Sequence, residues 1–240
     1  LTEWVERTEQ VPPGAHAMAL YGSSDEGERA VLGFVAGAER FAQPALWLTG
    51  MSDAERLRRC RAELDQRAPH GERTIVPLRG PQIRETPQGL RPLDDALAYA
   101  AAHPAGATLV GDTIPTYLTG DTLGGYLEYE RWFDRLRPFP HRALCPYDLS
   151  RLPLLRAPAA IVGLALRHSH LVLSDDPRPA VRLLQLLVIP HLPNAPPVQR
   201  VAVDRAIDHR LLRRTGGEDV VGLTLRGEQL VRALRHRTAG

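Results

Sequence analysis

Lysine is absent: all 30 basic residues are arginine, and Asn194 is the single asparagine. Arginine codons are rich in G and C while lysine and asparagine codons are not, so the bias reads as a GC-rich genome rather than as selection for phosphate recognition. The net charge of +2 is too small to imply nucleic acid by itself. The arginine clusters at 56–61 and 210–214 read as solvated helix faces. Cysteine is also scarce: Cys60 and Cys145 are too few for a disulfide framework, which points to a reducing compartment. No apolar run approaches the roughly 18 residues of a membrane span, and no basic stretch leads into an apolar signal core. These absences set the expectation of a cytoplasmic protein without a membrane partner.

What is present is an ordinary globular composition, 43% hydrophobic and 24% charged, in a chain long enough for one substantial core and an appendage. Short apolar runs alternate with amphipathic stretches. Residues 16–21 suit a buried strand, and Ser23 or Ser24 caps a helix that runs to about Phe41, its first turn loaded with acid. Ala45–Leu48 is the next strand, followed by a capping box of Ser52 and Glu55 and a helix carrying Leu57 and Leu64. The pattern predicts further strands at 74–77, 107–111, 142–145 and 170–173, and helices at 93–102, 121–136 and 158–167. On the helix 121–136, Tyr126, Tyr129, Trp132 and Phe133 read as core. Alternation of this kind predicts an α/β fold: a mainly parallel sheet with helices on both faces. The dipeptides Asp176-Pro177 and Arg178-Pro179 mark a break. The expected domains are therefore 1–176, the α/β unit, and 177–240, a mostly helical C-terminal extension with a turn at Gly216-Gly217.

A strand, tight turn and helix at 16–41 is the setting of a nucleotide-binding P-loop, which needs G-x-x-x-x-G-K-[ST] so that backbone N–H groups and a lysine neutralise phosphate. Gly22 and Gly27 keep the glycine spacing, but Glu28 stands in the lysine position, and Asp25 and Glu26 add negative charge. Carboxylates repel a triphosphate, and more strongly inside a protein than in water. Ordinary ATP hydrolysis is therefore not expected. Gly111-Asp112 occupies the place of a Walker-B acid, with a loop-capping carboxylate as the plain alternative.

Several blocks together resemble the MEDS family, a methanogen/methylotroph sensory domain of DcmR type related to KaiC- and RecA-like ATPases. They are His16–Tyr21 with Glu26, Glu28 and Phe34; Gly111-Asp112; Leu127-Glu-Tyr-Glu130; Ala143-Leu-Cys-Pro-Tyr-Asp148; and Ala165-Leu-Arg-His-Ser-His-Leu-Val172, spanning about residues 14–176. The chain departs from the family at Ser169 or His170, where proline is preferred, which leaves open whether His168 or His170 is the family histidine. The resemblance implies a three-layer P-loop/RecA-like scaffold and a sensory role in transcription or signal transduction. It names no ligand and no cofactor.

In parallel sheets ligands collect at the carboxyl ends of the strands. The candidate ligand-binding residues are accordingly His16, Tyr21, Gly22, Ser23, Asp112, Cys145, Tyr147, Asp148 and His168. Tyr147 and Asp148 are expected just past a strand end, and Cys145 as a small buried residue ending that strand. His16, Asp112, Cys145 and His168 are metal-ligand types without a short ligand spacing, so neither a metal nor a catalytic residue is expected. The leading reading is a non-catalytic ligand-sensing regulatory domain with an unknown small-molecule ligand and a partner protein that carries the signal; a homodimer is compatible with it. The alternatives are a nucleotide-binding or NTPase-like protein with an unorthodox loop, and a DNA-binding regulator acting through its tail. For the tail, residues 199–235 are similar to the recognition helix, wing and closing helix of a winged helix, in which Arg210, Arg213 and Arg214 would meet phosphates.

Overall fold

The computed structural model describes residues 3–5, 7–78, 85–86, 89–112, 140–148, 167–172, 212–214 and 221–223. The expected helix at 121–136, with its aromatic residues, lies outside these residues, as do all but Arg167 of the expected helix 158–167 and most of the C-terminal extension. Among the described residues no helix is long and apolar enough to cross a membrane.

The elements run β1 (Glu3–Val5), β2 (His16–Tyr21), α1 (Ser24–Ala36), β3 (Ala45–Thr49), α2 (Ala54–Arg67), β4 (Arg73–Pro77), two short strands β5 (Glu85–Thr86) and β6 (Gly89–Leu90), α3 (Arg91–Ala102), β7 (Thr108–Asp112), β8 (Arg142–Asp148) and β9 (His170–Val172). Seven strands form one sheet in the order β1-β9-β2-β8-β7-β3-β4, and each neighbouring pair is parallel. The expected α/β class with a parallel sheet is therefore the observed one.

Direction of travel assigns the layers. The chain moves from β2 to β3 and on to β4, then turns back to β7 and β8. Right-handed crossovers place helices on opposite faces when the direction reverses. Helix α1 accordingly packs on β2, β3, β7 and β8, where Ala17, Ala19, Val31, Phe34, Val35, Trp47, Leu64, Val110, Leu144 and Val172 form one buried cluster. Helix α3 lies against β3, its Tyr99 hydroxyl donating to the Ala45 carbonyl at 3.4 Å.

The caps follow from sequence with one shift. Ser23 caps α1, its hydroxyl accepting the Glu26 N–H at 3.3 Å. Helix α2 is capped by Asp53 instead of Ser52: its carboxylate accepts the N–H groups of Glu55 and Arg56, which holds the Asp53 carboxyl below its ordinary value. A carboxylate offers two acceptors at a helix N-terminus where a hydroxyl offers less.

Strand β8 runs three residues beyond its expected end, through Pro146. In a central strand proline normally forfeits a ladder hydrogen bond. Here Ala143 N donates toward β2 and Arg142 N toward β7, so by alternation position 146 faces β7, and the β7–β8 pairing stops at Val110↔Leu144, short of it. The ladder toward β2 uses the other positions and continues to Asp148. Tyr147 and Asp148 are thus strand residues, not loop residues, and Cys145 lies inside its strand. The structure also adds β1, paired with β9.

At the amino edge of the sheet Arg142 is fully buried. Its guanidinium lies 4.5 Å from the Phe34 ring centroid and 4.4 Å from that of Phe41. It donates to the carbonyls of Val11 at 2.7 Å and Thr8 at 3.4 Å, and to the Thr108 hydroxyl at 3.3 Å. Burial pulls its pKa down to about 10, against the pull of nearby Glu9, so it stays charged at neutral pH. One side chain thereby joins the Thr8–Gln10 turn, α1, β7 and β8. Gly33 lets that turn approach, since a Cβ there would strike the Glu9 and Thr8 side chains.

In the C-terminal extension, β10 (Leu212–Arg214) and β11 (Val221–Leu223) pair antiparallel, flanking the predicted Gly216-Gly217 turn. This pair is the part of the extension that the structure describes.

Two stability predictions follow from the amino edge. Arg142→Ala leaves two buried carbonyls without their donor and a hole between two rings, and is expected to cost about 3 kcal/mol or more, read as a lower urea midpoint. His141, whose Nδ1 accepts the Ala107 N–H at 2.8 Å, has its pKa lowered by burial and by His103. Its contribution is complete above the unfolded value near 6.5 and is lost as pH falls toward the lowered folded value. His141→Asn, which keeps an acceptor but does not titrate, is expected to flatten that part of the stability–pH curve.

Candidate functional site

The nine candidate residues fall into two groups. Tyr21, Gly22, Ser23, Asp112 and Asp148 stand at the carboxyl edge of the sheet. His16, Cys145, Tyr147 and His168 lie among its strands, further from that edge.

The carboxyl-edge group surrounds the point where β2 and β8 lie side by side in register, Tyr21 opposite Asp148. The chain leaves β2 toward β3 on one side and leaves β8 toward β9 on the other, which makes this the topological switch of the sheet. Only Gly22 and Ser23 separate β2 from α1. A helix N-terminus behind a glycine is an anion-binding arrangement, but the position is already filled: the Glu26 carboxylate turns back and its Oε2 accepts the Gly22 N–H at 3.0 Å. With Ser23 capping Glu26 N, this is a capping box displaced by one residue at its backbone donor. Glu26 is buried, so an internal carboxylate sits where a bound phosphate would draw on the same donors.

Gly27, the second glycine of the motif spacing, belongs to α1 and not to a loop. A Cβ at Gly27 would fall within the van der Waals radius of the Tyr21 ring, so this glycine accommodates an aromatic side chain. Glu28, in the lysine position, pairs with Arg56 of α2, whose NH2 also reaches the Ser24 carbonyl at 3.3 Å. Burial, reinforced by Glu28, pushes the Cys60 thiol up to about 12. Of the acidic residues that looked like obstacles to phosphate, Glu26 and Glu28 are tied into the packing around α1, while Asp25 is exposed.

Asp112 ends β7. Its Oδ2 accepts the Thr49 hydroxyl at 3.3 Å, Thr49 Oγ1 in turn accepts the Met51 N–H at 3.1 Å, and the Asp112 carbonyl accepts Gly50 N–H at 2.8 Å. Among these contacts Asp112 acts as a cap on the loop after β3, the plainer of its two sequence readings.

The inner group is a cluster of buried side chains on three strands and their flanks. His16 begins β2 and stands beside Ala143, so its side chain shares a face with Cys145 two residues further along β8. His16 Nε2 lies 3.3 Å from Cys145 Sγ. The His168 ring is 4.1 Å from the His16 ring, centroid to centroid, and meets Tyr147 edge-on at 5.8 Å. His168 precedes β9 and is held there by its neighbour. The Ser169 hydroxyl accepts the His16 N–H at 3.0 Å and donates to the His16 carbonyl at 3.0 Å, and Ser169 N donates to the same carbonyl at 2.8 Å. Of the two candidate histidines, His168 joins the cluster, while His170 is a ladder residue of β9 opposite Ala17.

Sequence spacing could not show this cluster, because His16 lies 129 residues from Cys145 and further still from His168. Glu26, the residue that closes the loop, was legible: Ser23-x-x-Glu26 has capping-box spacing. Arg210 lies outside the described residues, and Arg213 and Arg214 are on β10.

Neither a family profile nor a curated protein matches the chain. Among solved structures, a KaiC-like protein from Pyrococcus horikoshii OT3 is similar over 62% of this chain and 69% of its own length, at 17% identity and a TM-score of 0.43.

Removing the internal anion should be felt as lost stability. Glu26→Ala is expected to cost about 1–2 kcal/mol by freeing the Gly22 donor, and Glu26→Gln, which keeps an acceptor oxygen, less than half of that, both read from chemical denaturation.

Proposed function

We propose that this α/β domain is a non-hydrolytic ligand-sensing regulatory domain of the MEDS type, built on a P-loop-like scaffold whose phosphate grip has been replaced by an internal carboxylate. The observation that carries the reading is the Gly22 N–H held by Glu26. A triphosphate arriving at the same helix N-terminus would have to displace a buried, hydrogen-bonded carboxylate and then lie beside it. No lysine exists anywhere in the chain to offset that charge.

The same edge says what a ligand there would be. Around the switch between β2 and β8 stand Asp25, Asp112 and Asp148, acids at strand and helix ends. A neutral or cationic organic molecule suits this surface, and an anionic nucleotide does not. The signal would leave through a partner protein or the C-terminal extension.

A second reading is favoured by the ribbon of β10 and β11. It falls in the stretch whose sequence is similar to a wing, with Arg213 and Arg214 on one strand, which supports DNA contact by the tail. The two readings are compatible, one describing input and the other output.

Equilibrium binding and turnover assays test the first reading. Mg-ATP and Mg-GTP are expected to show neither saturable binding nor turnover, while a screen of neutral and cationic metabolites should yield a saturable thermal shift that is lost in Asp112→Asn/Asp148→Asn. Micromolar nucleotide binding, or turnover abolished by Asp112→Ala, would overturn it. For the tail, DNA affinity that falls steeply with salt and vanishes on truncation after Asp176 is the expected result.

A further inference from the structure

The sensory reading makes no use of the inner cluster. We propose that His16, Cys145 and His168 form a binding site for a thiophilic d10 metal ion, Zn²⁺ or Cu⁺, within the sheet. The proposal is independent of the ligand proposed at the carboxyl edge.

The geometry supports it in three ways. First, the donor atoms of the three side chains lie within 4.8 Å of one another, and all three residues are buried. A metal about 2.3 Å from sulfur and about 2.0–2.1 Å from nitrogen subtends an angle of roughly 100° for the 3.3 Å His16–Cys145 separation, close to tetrahedral. Second, His168 is held beside His16 by its neighbour: Ser169, just before β9, makes three hydrogen bonds to the His16 backbone and is the positioning residue of the set. Third, the set of two imidazoles and one thiolate is borderline to soft, which selects zinc or cuprous ion over Mg²⁺ or Ca²⁺. Met18 is opposite Cys145 in register and buried on the same face of β2 as His16, placing a thioether on the same side of the sheet.

Binding replaces the Cys145 S–H bond by a sulfur–metal bond, and the proton leaves to solvent. The histidines bind as neutral imidazoles, so one proton is released per metal ion. In the absence of metal, the His16–Cys145 contact is a hydrogen bond between the same two groups, which keeps the apo cluster folded and paired. The other cysteine does not compete: Cys60 lies between α1 and α2 beside Glu28.

Cobalt(II) titration of the full-length chain, stripped beforehand with a chelator, tests the site. The expected result is one equivalent of Co²⁺ per chain, with a near-ultraviolet thiolate-to-cobalt band and the visible bands of tetrahedral cobalt. Cys145→Ser should abolish the charge-transfer band, and Cys60→Ser should leave it intact. Since even outer-shell changes cost 10–100-fold in metal affinity, His168→Gln should weaken binding by about tenfold or more. It also serves as the test if Cys145→Ser does not fold, with folding checked by circular dichroism. Competition then identifies the ion: Zn²⁺ displacing Co²⁺ stoichiometrically assigns zinc, and uptake of Cu⁺ from a chromophoric cuprous chelator, lost in the same variants, assigns copper. No charge-transfer band at excess Co²⁺, a band that survives Cys145→Ser, or one that disappears in Cys60→Ser would overturn the proposal.

Discussion

Strand β2 is the constraint on which the rest depends. Its six residues are all buried, and it pairs on one side with β8 over its full length and on the other with β9. A strand enclosed this way cannot slip by one residue without turning every side chain to the opposite face. Register therefore fixes two things at once: at its carboxyl end Tyr21 and Gly22 meet the start of α1, and at its amino end His16 meets Cys145 and His168. Both candidate sites hang from this one strand.

The carboxyl end has the outline of a phosphate-binding junction with its donor already occupied. A strand, a glycine and a helix N-terminus remain, with the dipole and the exposed donors that such a junction presents. The anion at this junction is internal. Glu26 supplies it from within the helix, Glu28 turns away to Arg56, and Gly27 makes room for the Tyr21 ring. Each of these residues has a structural partner, so the junction is a well-packed capping arrangement.

Much of the sheet was legible from sequence because its strands are short apolar runs with capped helices between them. The boundaries of β2 and the starts of β3, β8 and β9 match the expected residues, and the parallel class follows from alternation alone. Three features were hidden for identifiable reasons. Strand β1 is three residues long and gives no periodic signal. The end of β8 was masked by Pro146, which reads as a strand terminator unless the side of the ladder it faces is known. Arg142 looked like one arginine among 30, and only the fold shows it buried between Phe34 and Phe41 as the joint of the amino edge. The candidate residues were found as types, but their grouping was not: spacing gives no hint that His16, Cys145 and His168 converge while Asp112 binds Thr49. Glu26 was set down as a repelling charge when its capping-box distance from Ser23 already gave it a partner.

The central claim is that the donor at the head of α1 is satisfied from within. The Gly22 amide resonance in a ¹⁵N-labelled sample reports on this directly. Slow hydrogen exchange at Gly22, lost in Glu26→Ala, with no shift on adding millimolar Mg-ATP or pyrophosphate, is the result the closed junction predicts. Exchange at the rate of an open loop, with a saturable shift when phosphate is added, would contradict it and return the junction to nucleotide binding.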